Sequence, residues 1–143
     1  MKKLLFVTTV LFLSCAFSPQ KKTKIIFFGD SITELGVKEK PYRGYILELE
    51  DKSKAENKSD QYDFIGSGIS ANKVYDLYLR LEEDVLSKNP DVVFIYVGVN
   101  DVWHKTLLGT GTDADKFEKF YLAILKKLKD KNIKAVLVTP AVV

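Results

Sequence analysis

The chain has 143 residues, of which 46% are apolar and 29% charged, with a formal net charge of +3 and a single cysteine. This length suits one domain with its own core, and the composition is that of an ordinary globular protein. The 22 basic residues nearly balance the 19 acidic ones, and two of the basic residues lie in the N-terminal leader, so the rest of the chain is close to neutral. A near-neutral chain without a basic block argues against a nucleic-acid partner.

Residues 1–16 have the pattern of a signal peptide. Two lysines precede the apolar run 4–13, and the small residues Ser14 and Ala16 follow it. A charged start, a short apolar centre and small residues near the cleavage site are typical of export signals. The apolar run is also too short to span a bilayer, which takes roughly 20 residues. The sequence therefore predicts an exported protein that is periplasmic, secreted or anchored at the cell envelope.

Cys15 lies at the end of the apolar run, and two interpretations of it stay open. Phe12-Leu13-Ser14-Cys15 resembles, imperfectly, the signal at which a bacterial lipoprotein is cleaved before an acylated cysteine. Ordinary cleavage after Ala16 fits the small residues equally well. A lipid on Cys15 would be the only contact with a membrane. Because there is one cysteine, the folded state is expected to depend on core packing and not on a disulfide.

Residues 22–143 have the pattern of an α/β domain with a parallel sheet. Short apolar runs of strand length alternate with longer segments of helical period, which is typical of successive β-α-β units. The run at 92–97 is apolar throughout, as expected where helices cover both faces of the sheet. The predicted strands are Lys24–Phe28, Tyr62–Ile65, Val92–Val97 and Ile133–Val138.

Three helices are predicted between these strands from apolar stripes at spacings of three and four residues. The first has Pro41 at its start, where proline is well tolerated, and ends in the polar run 51–60. The third has an aromatic stripe that indicates core packing. The stripes are Tyr42, Tyr45, Ile46 and Leu49; then Val74, Leu77, Tyr78, Leu81 and Val85; then Phe117, Phe120, Tyr121, Ile124 and Leu128.

Glycine and small polar residues follow each of the first three strands. The segments are Gly29-Asp30-Ser31, Gly66-Ser67-Gly68 and Gly98-Val99-Asn100-Asp101. In an open parallel sheet, ligands bind outside the carboxyl ends of the strands. If the strand order is 2-1-3-4, the first strand lies between the second and third, so the three segments converge. We then expect Ser31 at the centre of the site.

These segments resemble the motifs of the GDSL or SGNH hydrolase family. Gly29-Asp30-Ser31-Ile32 is similar to its Gly-Asp-Ser-Leu signature, with isoleucine for leucine. Gly98-Val99-Asn100-Asp101 matches its Gly-x-Asn-Asp block, and Gly68 falls where its oxyanion glycine belongs. The resemblance spans residues 24–140. It implies the three-layer αβα, flavodoxin-like fold of that family, lacking its C-terminal strand and helix.

The resemblance implies an exported serine esterase or acylhydrolase that cleaves carboxylic esters. Ser31 would be the nucleophile, and the oxyanion donors would be the backbone N–H groups of Ser31 and Gly68 and the side-chain amide of Asn100. Such preorganised donors can each lower the barrier by about 3 to 4 kcal/mol. The expected substrate is a small-molecule or carbohydrate ester. Neither a cofactor nor a metal is implied.

The general base of this family comes from an Asp-x-x-His motif, and the chain ends at Val143 without one. The one histidine, His104, is predicted in a loop beside Trp103, followed by a mobile loop at 105–112, and does not match the family position. Intact members add another strand and helix. We therefore expect this chain alone to form an oxyanion site but to show little ester turnover.

Two other functions stay open from the sequence. The first is a non-catalytic carbohydrate-binding or interaction domain on the same scaffold. The second, a weaker match, is a nucleotide-binding module, because residues 66–71 fit Gly-x-Gly-x-x-Ala between a strand and a helix. Ser31 and Asn100 could also be only cap or turn residues, whereas Asp30 and Asp101 are expected to anchor loops by accepting backbone N–H groups.

Overall fold

The computed structural model describes residues 21–140, so the predicted signal peptide and Cys15 lie outside the described residues. Four strands alternate with five helices and one 3₁₀ turn. The strands are β1 (Thr23–Gly29), β2 (Tyr62–Gly68), β3 (Val92–Tyr96) and β4 (Lys134–Val138). The helices are α1 (Ser31–Leu35), α2 (Tyr45–Ala55), α3 (Val74–Asp84), α4 (Val99–Leu108) and α5 (Ala114–Asp130), and the 3₁₀ turn is Leu86–Lys88.

The sheet is parallel and has the order β2-β1-β3-β4, which confirms the predicted topology. Gly29 at the end of β1 pairs with Gly68 on one side and with Tyr96 on the other. Since neighbouring strands lie about 4.8 Å apart, the carboxyl ends of these three strands form one edge. The segments that follow them therefore meet there.

Helices cover both faces of the sheet, because alternate residues of β1 point to opposite sides. Ile26 and Phe28 lie on the face covered by α3 and α5 and are fully buried. Phe27 lies on the α2 face, where its ring is 5.6 Å from Tyr45 and 5.0 Å from Phe94. Burying one large aliphatic side chain contributes about 2 kcal/mol, so these two layers supply most of the stability. The fully buried residues on the α3 and α5 side include Leu77, Leu81, Val93, Ile95, Ile124 and Leu128.

The first predicted helix is placed differently in the structure. It begins at Tyr45 after the extended residue Gly44, and Pro41 lies in the connection before it. The helix also continues to Ala55, into the stretch predicted to end it. Ile46 and Ser53 are buried there and most of the charged residues remain at the surface, so a polar run can still form an amphipathic helix.

The loop prediction for His104 is wrong, because that residue lies within helix α4. The helix begins after Gly98, at φ +136°, and ends at Gly109, at φ +66°. The chain then folds back on the helix: the Thr112 N–H donates to the Asp101 carbonyl over 3.0 Å. Part of the segment predicted as mobile is thus helical, and its end is held by α4.

Candidate active site

Ser31 is the first residue of α1, a five-residue helix that follows β1 directly. Asp30 caps this helix: its carboxylate accepts the Ile32 N–H at 3.0 Å, and its carbonyl accepts the Glu34 N–H at 2.9 Å. The first amides of a helix have no acceptor inside it, so the Ser31 N–H is available to a ligand. The sequence did not predict α1, because five residues are too few to show an apolar period.

Asn100 lies in the first turn of α4, beyond the end of β3, and is only 3% exposed. Its side-chain Nδ2 donates to the Asn72 carbonyl over 3.0 Å. Because an amide nitrogen carries two hydrogens, a second N–H remains for another acceptor. The structure thus brings Asn100 to the turn after β2, as the predicted strand order requires.

Gly68 ends β2 against α1, and only glycine fits there. A Cβ at this position would lie 2.0 Å from the Glu34 nitrogen and 2.7 Å from the Asp30 carbonyl oxygen. The Ile69 N–H donates to the Gly29 carbonyl over 3.2 Å. Successive amides of a strand point to opposite sides, so the Gly68 N–H points away from β1 and toward the open edge of the sheet. This geometry does not direct the Gly68 N–H toward Ser31 and Asn100.

The turn Ile69–Asn72 connects β2 to α3 and contains a residue that the sequence analysis missed. Ala71 has a φ of +65°, a left-handed conformation that is uncommon for a residue with a Cβ. Such residues concentrate at functional sites. Ala71 is exposed and precedes Asn72, whose carbonyl binds Asn100. An alanine carries no sequence signal for this conformation.

A carboxylate already occupies the turn at Ser70. Glu34 of α1 accepts both the Ser70 N–H and the Ser70 hydroxyl at 2.6 Å, and these hydrogen bonds lower the pKa of Glu34. The predicted nucleotide site would need this same turn for phosphate. With Glu34 in that place, a phosphate would meet a negative charge, so the geometry disfavours the nucleotide-binding interpretation.

Two buried carboxyl groups next to the site accept backbone N–H groups of neighbouring helices. Asp101 is 2% exposed and accepts the Val74 N–H at the start of α3 over 3.2 Å. Asp30 is fully buried. Burial raises the pKa of both carboxyl groups above the ordinary value of 3.8, against the lowering effect of their hydrogen bonds. Both accept backbone N–H groups, which confirms the structural role expected for them.

His104 is half-buried on α4, with its ring 5.9 Å from that of Trp103. Within residues 21–140, no hydrogen bond joins its side chain to Ser31, and no group of three or more potential ligands could hold a metal ion. No helix in this part of the chain is long and apolar enough to cross a membrane.

Comparisons with known proteins place these residues in a family. The sequence model of the GDSL-like lipase/acylhydrolase family matches residues 27–143. An acetylxylan esterase of Geobacillus stearothermophilus is 33% identical over 114 residues, covering 73% of this chain and 52% of that protein. An uncharacterised lipoprotein of Bacillus subtilis (strain 168) is 24% identical, covering 97% of this chain and 57% of that protein. The chain spans about half the length of these curated relatives.

Solved structures give the same result. The crystal structure of the acetyl xylan esterase AlAXEase has a TM-score of 0.79 and 63% identity, covering 82% of this chain and 58% of that one. Axe2, an acetylxylan esterase of Geobacillus stearothermophilus, has a TM-score of 0.74 and 30% identity, covering 82% and 59%. The αβα fold and the family expected from the sequence are confirmed.

Proposed function

Since the chain belongs to the GDSL-like lipase/acylhydrolase family, we propose that it supplies the nucleophile and the oxyanion donors of a serine esterase. The main support is that the carboxyl ends of β1, β2 and β3 lie side by side, with Ser31 directly after the central of these three strands. The buried Asn100 follows β3 on one side of β1, the turn Ile69–Asn72 follows β2 on the other side, and the Asn100 amide donates to the Asn72 carbonyl.

In the proposed reaction, the Ser31 Oγ attacks the ester carbonyl carbon and its proton passes to a base. The carbonyl oxygen becomes an oxyanion, and the alcohol then leaves as the acyl-serine forms; water releases the acid in a second attack. The Ser31 N–H and the free Nδ2 hydrogen of Asn100 would stabilise the oxyanion. Asn100 is well suited because its burial fixes the amide and because the amide carries no charge of its own.

For the third donor we assign the Ala71 N–H in place of the predicted Gly68 N–H. Two observations support this: the Gly68 amide points away from β1, and Ala71 lies beside the carbonyl that Asn100 contacts. Gly68 keeps a different role, because its missing side chain lets β2 approach α1. Ala71→Gly should preserve ester hydrolysis or probe labelling, whereas lactic acid in place of Ala71, which exchanges the N–H for an ester oxygen and leaves the side chain unchanged, should lower it about 100-fold. Equal effects of the two variants would refute the assignment.

The general base is proposed to come from an Asp-x-x-His motif encoded after Val143. Structures of Axe2 include three catalytic mutants, in which a serine, an aspartate and a histidine are each replaced by alanine. Reading the coding sequence beyond codon 143 tests this step. A continuing frame with the motif supports the esterase. A stop codon directly after Val143 would instead favour the second candidate, a carbohydrate-binding or interaction domain that does not turn over esters.

We propose an acetylated carbohydrate as the substrate class, because two of the similar proteins are named acetylxylan esterases. A cleft of about 480 Å³ lies beside α4 and is lined in part by Gly98, Val102, Phe117 and Pro140. Because Gly98 and Asp101, from the segment that carries Asn100, line this cleft, it is proposed to receive the sugar. Release of acetate from acetylated and from deacetylated xylan, measured side by side, tests the substrate class.

The role of Ser31 is tested with a fluorophosphonate probe, whose phosphorus accepts the serine oxygen in the same manner as an ester carbonyl. We expect labelling of the wild type that is slow without the base and absent in Ser31→Ala. Ser87→Ala is the matched control, because Ser87 is exposed and its hydroxyl donates only to the Glu83 carbonyl. Labelling that survives in Ser31→Ala would overturn the assignment of the nucleophile.

Export is proposed from the signal-peptide pattern and is consistent with the relative named as a lipoprotein. Expression of the chain in a bacterial host, followed by intact-mass measurement of the mature protein, distinguishes the two cleavage sites. A lipid-modified mass that Cys15→Ser abolishes indicates a lipoprotein, and an unmodified chain beginning at Phe17 indicates ordinary cleavage. A full-length cytosolic chain would contradict export.

A further inference from the structure

Arg80 of α3 connects the ends of β1 and β2 with the turn Ile69–Asn72. Its Nη2 donates to the Gly29 carbonyl over 2.8 Å and to the Ser67 carbonyl over 3.2 Å. Its Nη1 donates to the Ser67 hydroxyl over 3.1 Å, and its Nε donates to the Asn72 side-chain oxygen over 2.8 Å. One guanidinium thus joins the end of β1, the end of β2 and the turn that follows β2.

The surroundings of Arg80 hold the guanidinium in one orientation. The side chain is 14% exposed and lies over the buried ring of Phe28, with the guanidinium carbon 4.5 Å from the ring centre. Asp84, one turn further along α3, forms an ion pair with it and balances its charge. A guanidinium that stacks on a ring and donates in several directions of its plane cannot be replaced by the single ammonium of lysine.

The groups that accept hydrogen bonds from Arg80 lie next to the proposed oxyanion donors and help to determine their positions. Gly29 is two residues before Ser31, and its carbonyl also accepts the Ile69 N–H. Asn72 binds Arg80 through its side-chain oxygen and Asn100 through its carbonyl. Arg80 therefore bonds directly to the turn that carries Ala71 and is one bonded residue away from Asn100. Within residues 21–140, no hydrogen bond joins its side chain to Ser31.

We propose that Arg80 is a positioning residue that fixes the turn Ile69–Asn72, and through it the donors of Ala71 and Asn100, relative to Ser31. The importance of Arg80 for catalysis rests on the proposed function. Its effect on the position of the turn does not depend on ester hydrolysis. Without the guanidinium, the Gly29 and Ser67 carbonyls and the Asn72 side chain lose a shared donor. The turn then becomes free to move away from the nucleophile.

The test compares Arg80→Lys, Arg80→Met and Asp84→Asn in the 143-residue chain by ¹H–¹⁵N NMR and amide hydrogen exchange. For Arg80→Lys we expect shifted Asn100 side-chain resonances and exchange about tenfold faster at Ile69 and Asn72, whose N–H groups donate to the Gly29 and Ile69 carbonyls, with little change in α5. Asp84→Asn keeps every carbonyl contact of Arg80 and should leave exchange in the turn within about twofold of the wild type. Asn72→Ala removes only the acceptor of the Arg80 Nε. It should also speed amide exchange in the turn, but by a smaller factor than Arg80→Lys.

A kinetic arm measures fluorophosphonate labelling of Ser31 at a temperature at which every variant is folded, and we expect labelling to slow about tenfold in Arg80→Lys. Unchanged exchange in the turn of both Arg80→Lys and Asn72→Ala overturns the proposal. So does exchange that rises by one common factor across α3, α5 and the turn, because that pattern reports general stability. If the wild type does not label at all, the proposed nucleophile fails and the NMR result still decides the role of Arg80.

Discussion

Two irregular segments flank α1, and they are held in very different ways. The turn Ile69–Asn72 receives hydrogen bonds or contacts from β1, α1, α3 and α4. The segment Lys38–Arg43 connects α1 to α2 and is exposed, with Tyr42 86% accessible. The charged partners of Arg43, which are Glu39 and Asp51, lie within the segment and in the adjoining α2.

The difference in hydrogen-bond partners shows that the turn Ile69–Asn72 is held more firmly than the segment Lys38–Arg43. A hydrogen bond to a charged, shielded group contributes about 1.5 to 3 kcal/mol, whereas an exposed ion pair contributes about 0 to 1 kcal/mol. The turn, with partners on four elements, is therefore rigid in spite of its surface position. The segment Lys38–Arg43 depends mostly on its own neighbours and tolerates change. Rigid donors are what an oxyanion site requires.

The largest expected effect is at the base of the turn. Gly68→Ala would bring a methyl group into the backbone of α1, so we expect a loss of about 3 kcal/mol in the free energy of unfolding, measured by urea denaturation. Gly109→Ala is the control: it also strains the backbone, at φ +66°, but has open space around it, and should cost about 1 kcal/mol. Equal losses would mean that close approach at Gly68 does not hold the turn.

The next effect tests the contact between the turn and α3. Asn72→Ala removes the acceptor of the Arg80 Nε and leaves a shielded donor unpaired, which should cost about 2 kcal/mol in urea denaturation. Asn72→Asp keeps an oxygen in that place and should recover most of the loss. If alanine and aspartate cost the same, the side-chain oxygen of Asn72 contributes nothing to the turn.

A smaller effect is expected in how the free energy of unfolding depends on pH, through Asp30, the residue that caps α1 before Ser31. The folded-state pKa of Asp30 is raised by burial, so the native state binds the proton more tightly than the unfolded state does. The contribution of Asp30 to stability therefore rises as pH falls through its raised pKa, and it is lowest above that pKa. Asp30→Asn stays neutral at every pH and keeps an oxygen for the Ile32 N–H.

Urea denaturation of the wild type and Asp30→Asn between pH 4 and pH 7 measures this effect, and ~0.1 M salt limits surface contributions. As pH rises, the free energy of unfolding of Asp30→Asn should increase relative to that of the wild type. Glu34 acts with the opposite sign, because its pKa is lowered, but it acts in both proteins alike. A difference that does not change with pH would exclude an elevated pKa at Asp30.

The smallest effect is expected in the exposed segment. Arg43→Ala removes both of its ion pairs and should change the free energy of unfolding less than any of the variants above, with less change in high salt. Its effect on Ser31 labelling should be absent. A loss as large as that of Asn72→Ala would mean that the two segments are held equally, and the comparison between them would fail.

The α/β class, the order of the strands along the chain and the motifs at their carboxyl ends could all be predicted from the sequence. Alternation of apolar runs and helical stripes carries that information, because each element must bury one face or both. The two motifs around Ser31 and Asn100 were also readable, through their resemblance to the motifs of the GDSL family. The acidic residues Asp30 and Asp101 were correctly assigned to loop anchoring, which needs only local hydrogen bonds.

The direction of each proposed donor could be judged from the tertiary structure alone. Gly68 and Ala71 are three residues apart, and the choice between their amides depends on the pairing of β2 with β1, which one chain position cannot reveal. The start of α2 at Tyr45 and the helix through His104 likewise depended on packing that overrides local preference. Arg80 carried no motif at all. Its role follows from acceptors 8, 13 and 51 residues away in sequence, which come together only when the sheet forms.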